Sequence, residues 1–189
     1  MKLSLHRWTR REYARMLDHG ILDEDDPVEL IDGLLLVREP RHSRHQTAVL
    51  LVAKALKLVF GDGWFVPTQS PLGLGSRSEP EPDVSVIRGA PRDYAHAHPT
   101  HAALVVEVAE LGLRAARGRK AALYARAGIA DYWILNLVDR VLEVHREPAR
   151  PGPARSRWGY ASIDTLGVDA SVVPLAMPAA SIRVADLLP

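Results

Sequence analysis

The chain has 189 residues, 47% of them hydrophobic and 25% charged, a formal net charge of +1 and no cysteine. That length suits one domain with a sizeable core, and the near-neutral balance excludes a general polyanion-binding field, so any nucleic-acid contact must come from local patches. The lack of cysteine excludes disulfides, thiolate nucleophiles and Cys-based zinc sites and fits a cytoplasmic protein. The apolar runs are far too short to span a bilayer, and the mixed, charged opening of residues 1–11 reads as no signal peptide.

Thr9 is placed to cap a helix over residues 9–19, with Tyr13, Met16 and Leu17 on its apolar face and Gly20 ending it. Val28–Ile31 and Leu34–Val37 flank Asp32-Gly33, a two-residue hairpin signal. Ser43 is expected to cap a helix running to Phe60, with Val49, Val52, Leu56 and Phe60 as its buried stripe. Gly61 and Gly63 stop it, residues 64–68 read as a strand and residues 69–80 as a Gly/Ser/Pro loop. Residues 82–87 and 103–109 read as strands, the second apolar on both faces as a central strand is. Residues 113–127 form a helix closed by Gly128, and residues 131–137 and 140–145 pair as a hairpin around Val138-Asp139. Residues 147–156 read as a Pro/Arg linker, followed by short strands and a last turn. The expectation is one α/β domain over residues 1–189, a central mixed β-sheet flanked by helices. Residues 1–27 would be its N-terminal helical extension and residues 147–189 its C-terminal strand extension.

Three ionisable residues stand where an apolar one is the inexpensive choice. Glu107 interrupts Leu104-Val105-Val106 and Val108-Ala109, so its carboxylate lies in mid-sheet and needs a cation or a lysine. Lys120 falls in the arc of Leu113, Ala116, Leu123, Tyr124 and Ala127, and so faces inward unless it snorkels out at the helix edge. Asp83 follows Pro82, which fixes the backbone entering the strand. His45 lies in line with Val49, Val52 and Leu56, where a satisfied core histidine is the ordinary reading; Glu29 precedes the hairpin turn, where an exposed carboxylate is. A purely structural Glu107–Lys120 pair also stays open.

Should the strands of Asp83 and Glu107 be neighbours, with the helix packed back over them, two carboxylates and an ammonium converge. Such oxygens suit Mg²⁺, which takes one or two carboxylates together with substrate phosphate. The lysine would orient or deprotonate the attacking water, or stabilise charge on phosphorus. Weaker signals are the loop cluster His96, His98 and His101, the alternating Glu79, Glu81 and Asp83, and Arg150, Arg155 and Arg157 beside Trp158. The last group is placed to touch a phosphate backbone and stack on a base, against a solvated linker as the default.

Pro82-Asp83, Glu107 and Lys120 resemble the PD-(D/E)XK nuclease superfamily, in the variant whose lysine has moved from the strand to the following helix. More narrowly, the chain resembles the bacterial Uma family, grouped with restriction endonucleases. The resemblance is carried in order by Glu29-Leu30-Ile31-Asp32-Gly33, His45-Gln46, Glu79-Pro80-Glu81-Pro82-Asp83-Val84 and Val105-Val106-Glu107-Val108. Lys120 with Leu123-Tyr124, Ala127-Gly128-Ile129 and Asp131-Tyr132-Trp133-Ile134 complete it, over about residues 28–146. It implies a restriction-endonuclease-like core and an endonuclease that hydrolyses phosphodiester bonds in DNA with Mg²⁺ or Mn²⁺. By the same resemblance Asp83 and Glu107 are metal ligands, Lys120 the catalytic ammonium, Glu29 a further acid near the metal and His45 a polar residue facing the site. Cutting both strands of a duplex commonly needs two active sites, so a homodimer is an expectation too.

Two departures stand out. Family members often carry an aspartate one helical turn before the lysine, where this chain has Ala116, and polar residues after the glutamate strand, where it has Glu110-Leu111-Gly112. Two rival readings therefore accompany the first. One is a non-catalytic nuclease-fold module that binds nucleic acid or a protein partner; the other is a structural Glu107–Lys120 pair in an oligomer with no site.

Overall fold

The computed structural model describes residues 4–23, 25–38, 42–150, 152 and 157–189; Arg155 lies outside the described residues. Helix α1 (Arg10–Asp18) begins at a reciprocal cap, in which the Thr9 hydroxyl accepts the Glu12 N–H and the Glu12 carboxylate accepts the Thr9 N–H. Strands β1 (Val28–Ile31) and β2 (Leu34–Val37) pair antiparallel across Asp32 and Gly33. Both turn residues have positive φ, 52° and 76°, the geometry that makes Asp-Gly a two-residue hairpin. At Gly33 a Cβ would also come within 2.9 Å of the Arg7 Cβ, so no larger residue fits. Helix α2 (Ser43–Phe60) buries Val49, Val52, Leu56 and Phe60 as its spacing predicts. Ser43 is its first residue rather than its cap; His42 holds that position and makes no side-chain capping bond.

The main sheet has six strands, β3 (Trp64–Phe65), β4 (Val84–Arg88), β5 (Leu104–Ala109), β6 (Asp131–Asn136), β7 (Val141–Ala149) and β8 (Gly159–Leu166), side by side in chain order. β5 and β6 are parallel and every other pair is antiparallel. The strand expected over residues 64–68 is confined to β3, because Pro67 has no N–H to give a ladder and Gln69 turns left-handed at φ 50°. Residues 147–149, expected in a linker, extend β7 instead. There Pro148 pairs with Tyr160 beyond the last β6 partner, where one side of the strand has no ladder to lose.

A parallel pair needs a crossover, and the segment from Leu113 to Arg126 supplies it. It runs as α3 (Leu113–Ala115), a π turn (Ala116–Lys120) and α4 (Ala121–Arg126), where the periodicity predicts one regular helix. The Ala121 N–H reaches back five residues to the Ala116 carbonyl, which also accepts the Tyr132 hydroxyl at 3.0 Å. Gly118, a poor helix former, sits inside the widened turn.

Two apolar layers cover the sheet. On one face α2 and the last turn (Val184–Leu187) pack on Val84, Val106, Trp133 and Val144. On the other, α4 and Ile31 of the hairpin pack on Val105, Tyr132, Ile134 and Tyr160. β5 is buried along its whole length, as its sequence predicts for a strand covered on both sides. β9 (Ser171–Val172) and β10 (Ile182–Arg183) form a small separate ribbon.

Candidate active site

Register brings the acidic residues together. β4 pairs Val84 with Val106, so Asp83, one residue earlier, arrives beside Glu107 at the end of β4. There the Val108 N–H, with no β4 carbonyl opposite, donates to Asp83 Oδ2 at 2.8 Å. His45 Nε2 lies 3.2 Å from the same oxygen, carried on the first turn of α2. Glu29 enters from β1, which an antiparallel bridge between Leu30 and Glu79 ties to the loop leading into Asp83. Its Oε2 accepts the Glu81 N–H at 3.2 Å.

Lys120 closes the group from the π turn. Its Nζ lies 3.0 and 3.1 Å from the two Glu107 oxygens and 3.2 Å from Glu29 Oε1. The Tyr124 hydroxyl donates to Glu107 Oε1 at 2.7 Å. Glu29, His45, Asp83, Glu107 and Lys120 all line one cleft of about 190 Å³, whose wall includes Ala116. Every residue singled out for the site thus stands in the same place, and neither the snorkelling lysine nor the exposed glutamate is found: Glu29 is 5% exposed and the Lys120 side chain 15%.

Burial would raise the Asp83 carboxyl, but the His45 hydrogen bond and charge, the Val108 N–H and Lys120 outweigh it and hold Asp83 below its ordinary value. At Glu107 burial wins: against the pull of Lys120, desolvation and the charges on Asp83 and Glu29 push its carboxyl up to about 7. Burial would lower Lys120, yet Glu107, Glu29 and Asp83 hold it well above an ordinary lysine. Held as an ammonium, the lysine can orient a polar ligand and stabilise negative charge. Three carboxylates face that one ammonium, an excess of negative charge that a hard divalent cation matches in sign and in ligand type. Among the described residues no group of three or more His, Asp or Glu could hold a metal, the loop histidines included; Mg²⁺ commonly needs no more than two carboxylates.

Some participants escape sequence reading. Tyr124 stands four residues after Lys120 on the same inward face, a spacing that could have flagged it. Gln69 carries no such signal: its N–H donates to the Asp83 carbonyl at 3.1 Å from a left-handed backbone, and its amide lies 3.5 Å from Asp83 Oδ1. Arg38 and Glu81 also line the cleft and pair with each other. Glu79, which alternates with Glu81, is instead bound by Arg10 at 2.6 Å.

A mixed sheet whose central strand presents a glutamate to an aspartate on its neighbour and a lysine on the crossover helix defines a restriction-endonuclease-like α/β protein. The chain belongs to the Uma2 family, whose model, described as "Putative restriction endonuclease", matches residues 10–184. It is also similar to a crystal structure titled as that of "a putative nuclease belonging to DUF820" from Anabaena variabilis ATCC 29413. The two share 17% identity with a TM-score of 0.68, over 90% of this chain and 96% of that one, a likeness of fold. No curated protein matches the chain.

Proposed function

We propose that this protein is an endonuclease that hydrolyses phosphodiester bonds in DNA with Mg²⁺ or Mn²⁺. The observation that carries the reading is the convergence of Asp83, Glu107, Glu29, His45 and Lys120 on one cleft in a chain of the Uma2 family. Asp83 and Glu107 would hold the ion, which when bound acidifies water and neutralises charge on phosphoryl oxygens. Lys120 orients the attacking water and meets the negative charge that grows on the phosphate. His45 fixes the Asp83 carboxylate, and Glu29 fixes the ammonium. Water is added across one P–O ester bond, leaving a phosphate monoester and a hydroxyl. A homodimer in the cytoplasm supplies the second site that duplex cleavage needs.

The test is Mn²⁺- or Mg²⁺-dependent nicking of supercoiled plasmid by the purified protein and by Asp83→Asn/Glu107→Gln. Nicking by the wild type, lost in a double variant that melts cooperatively, supports the reading; equal nicking by both overturns it.

Two observations favour a second reading, a non-catalytic module that binds nucleic acid or a protein partner. Lys120 already ion-pairs with both Glu107 and Glu29, and Ala116 stands where family members often have an aspartate. On that reading no heat accompanies Mn²⁺ titration and no metal concentration yields cleavage, while DNA or a partner still binds.

A further inference from the structure

A second groove, of about 770 Å³, shares its walls with the acidic cleft, for both are lined by the β1–β2 hairpin and by the crossover helix. Arg7, Arg77, Arg119, Arg126, Arg157 and Trp158 line it, with Asp32 as its acidic residue. In a chain of net charge +1, five guanidinium groups around one groove are a strong local excess. Asp32 is already engaged, ion-paired with Arg126, while its carbonyl accepts Arg7 Nη1 at 3.0 Å. Arg77, Arg119 and Arg157 are exposed and have no ion pair among the described residues. Their planar forks match phosphate oxygens two at a time. Trp158 adds an aromatic ring, with the Arg150 guanidinium 5.7 Å from its centroid.

The groove also stands at a useful distance from the cleft. Arg119 is next to Lys120, and Arg126 lies six residues further along, roughly 9 Å of helix. Asp32 lies three residues beyond Glu29, roughly 10 Å of strand. A strand with a phosphate at Lys120 would pass Arg119 at once and reach Arg126 and Asp32 after about three nucleotides at the duplex rise.

We propose that this groove holds the phosphate backbone of a nucleic-acid strand continuing from the acidic cleft, with Arg77, Arg119 and Arg157 on phosphates and Trp158 stacking on a base. The continuity with the cleft rests on the nuclease reading; occupation of the groove does not require cleavage. An acidic protein would satisfy the arginines but make no base-type stacking contact with the aromatic ring.

The experiment is fluorescence anisotropy with a labelled oligonucleotide of about 20 nucleotides, single-stranded or duplex, in EDTA. Wild type is compared with Arg77→Ala/Arg119→Ala/Arg157→Ala, with the matching triple lysine variant and with Trp158→Ala. The alanine triple should bind at least about tenfold more weakly at 100 mM salt, with a log–log salt slope shallower by roughly two. The lysine triple should restore most of the slope, and Trp158→Ala should weaken the single strand more than the duplex. Unchanged affinity and slope in a folded alanine triple overturn the proposal, as does arginine-dependent binding of polyglutamate in place of either oligonucleotide. A wild type that binds in EDTA through these arginines but never nicks plasmid with Mn²⁺ overturns the nuclease reading and leaves the groove standing.

Discussion

Tyr124 and Lys120 hold the same oxygen of Glu107, at 2.7 and 3.0 Å, so one buried carboxylate is gripped both from the end of the π turn and from α4. Tyr124→Phe removes one grip and leaves the other. A hydrogen bond to a charged group is worth about 1.5–3 kcal/mol, and the melting temperature should fall accordingly. Nicking should survive at a reduced rate, since Lys120 remains. Calorimetry and plasmid nicking on the same preparation check both parts; wild-type stability would show that the phenol contributes nothing to holding Glu107.

Removing the ammonium leaves three carboxylates facing one another. Lys120→Met should destabilise the protein by roughly 3–5 kcal/mol, the range for breaking a buried pair. Mn²⁺ should then raise the melting temperature of Lys120→Met more than that of the wild type, because the ion replaces a charge the variant lacks. Differential scanning fluorimetry across a Mn²⁺ series gives the answer. A metal response equal in Lys120→Met and in Asp83→Asn/Glu107→Gln would argue against those carboxylates as the ligands.

His45→Ala takes one of the hydrogen bonds from Asp83. Loss of a residue that orients a ligand typically costs 10–100-fold in metal affinity or activity. Isothermal titration with Mn²⁺ should show that loss, and His45→Gln, which keeps a donor within reach, should recover part of it. Equal Mn²⁺ affinity in the alanine variant would reduce His45 to a packing residue.

Glu143 contributes to stability in acid. Burial alone would raise its carboxyl, but the nearby His145 imidazole, 3.5 Å away, and the hydrogen bonds and charge of Arg117 bring it down to about 2, below the usual 4.5. A carboxylate depressed in the folded state stabilises above its unfolded pKa and loses that contribution as pH falls through the folded one. The window is therefore about pH 4.5 to 2, and the stability at stake up to about 3 kcal/mol. Denaturant melts between pH 6 and 3 should fall less steeply for Glu143→Gln than for the wild type. Parallel slopes would disprove the assignment.

Much of this architecture is legible in the chain because it depends on local rules. Asp32-Gly33 dictates its turn, the stripe from Val49 to Phe60 dictates the buried face of α2, and the doubly apolar run around Glu107 announces a central strand. The inward direction of Lys120 was readable from its phase, although a π turn intervenes. What stayed hidden depends on long-range register. Nothing near Gln69 says that its backbone supports Asp83, and nothing in residues 147–149 says that β8 will extend their ladder. The basic groove was visible in part, through Arg157 and Trp158. Arg7, Arg77, Arg119 and Arg126 join them from separate segments that only the folded hairpin and helix bring to one place.

The cleft draws its five residues from β1, α2, the approach to β4, β5 and the crossover helix, spread over some ninety positions of chain. No fragment made of neighbours in sequence can assemble it, and the hairpin that brings Glu29 is a separate two-stranded sheet that must be docked before the cleft is complete. If the cleft cuts DNA, a half-made or partly unfolded copy is harmless. Topology itself then acts as a safety catch, arming the chemistry only when the whole domain is in place.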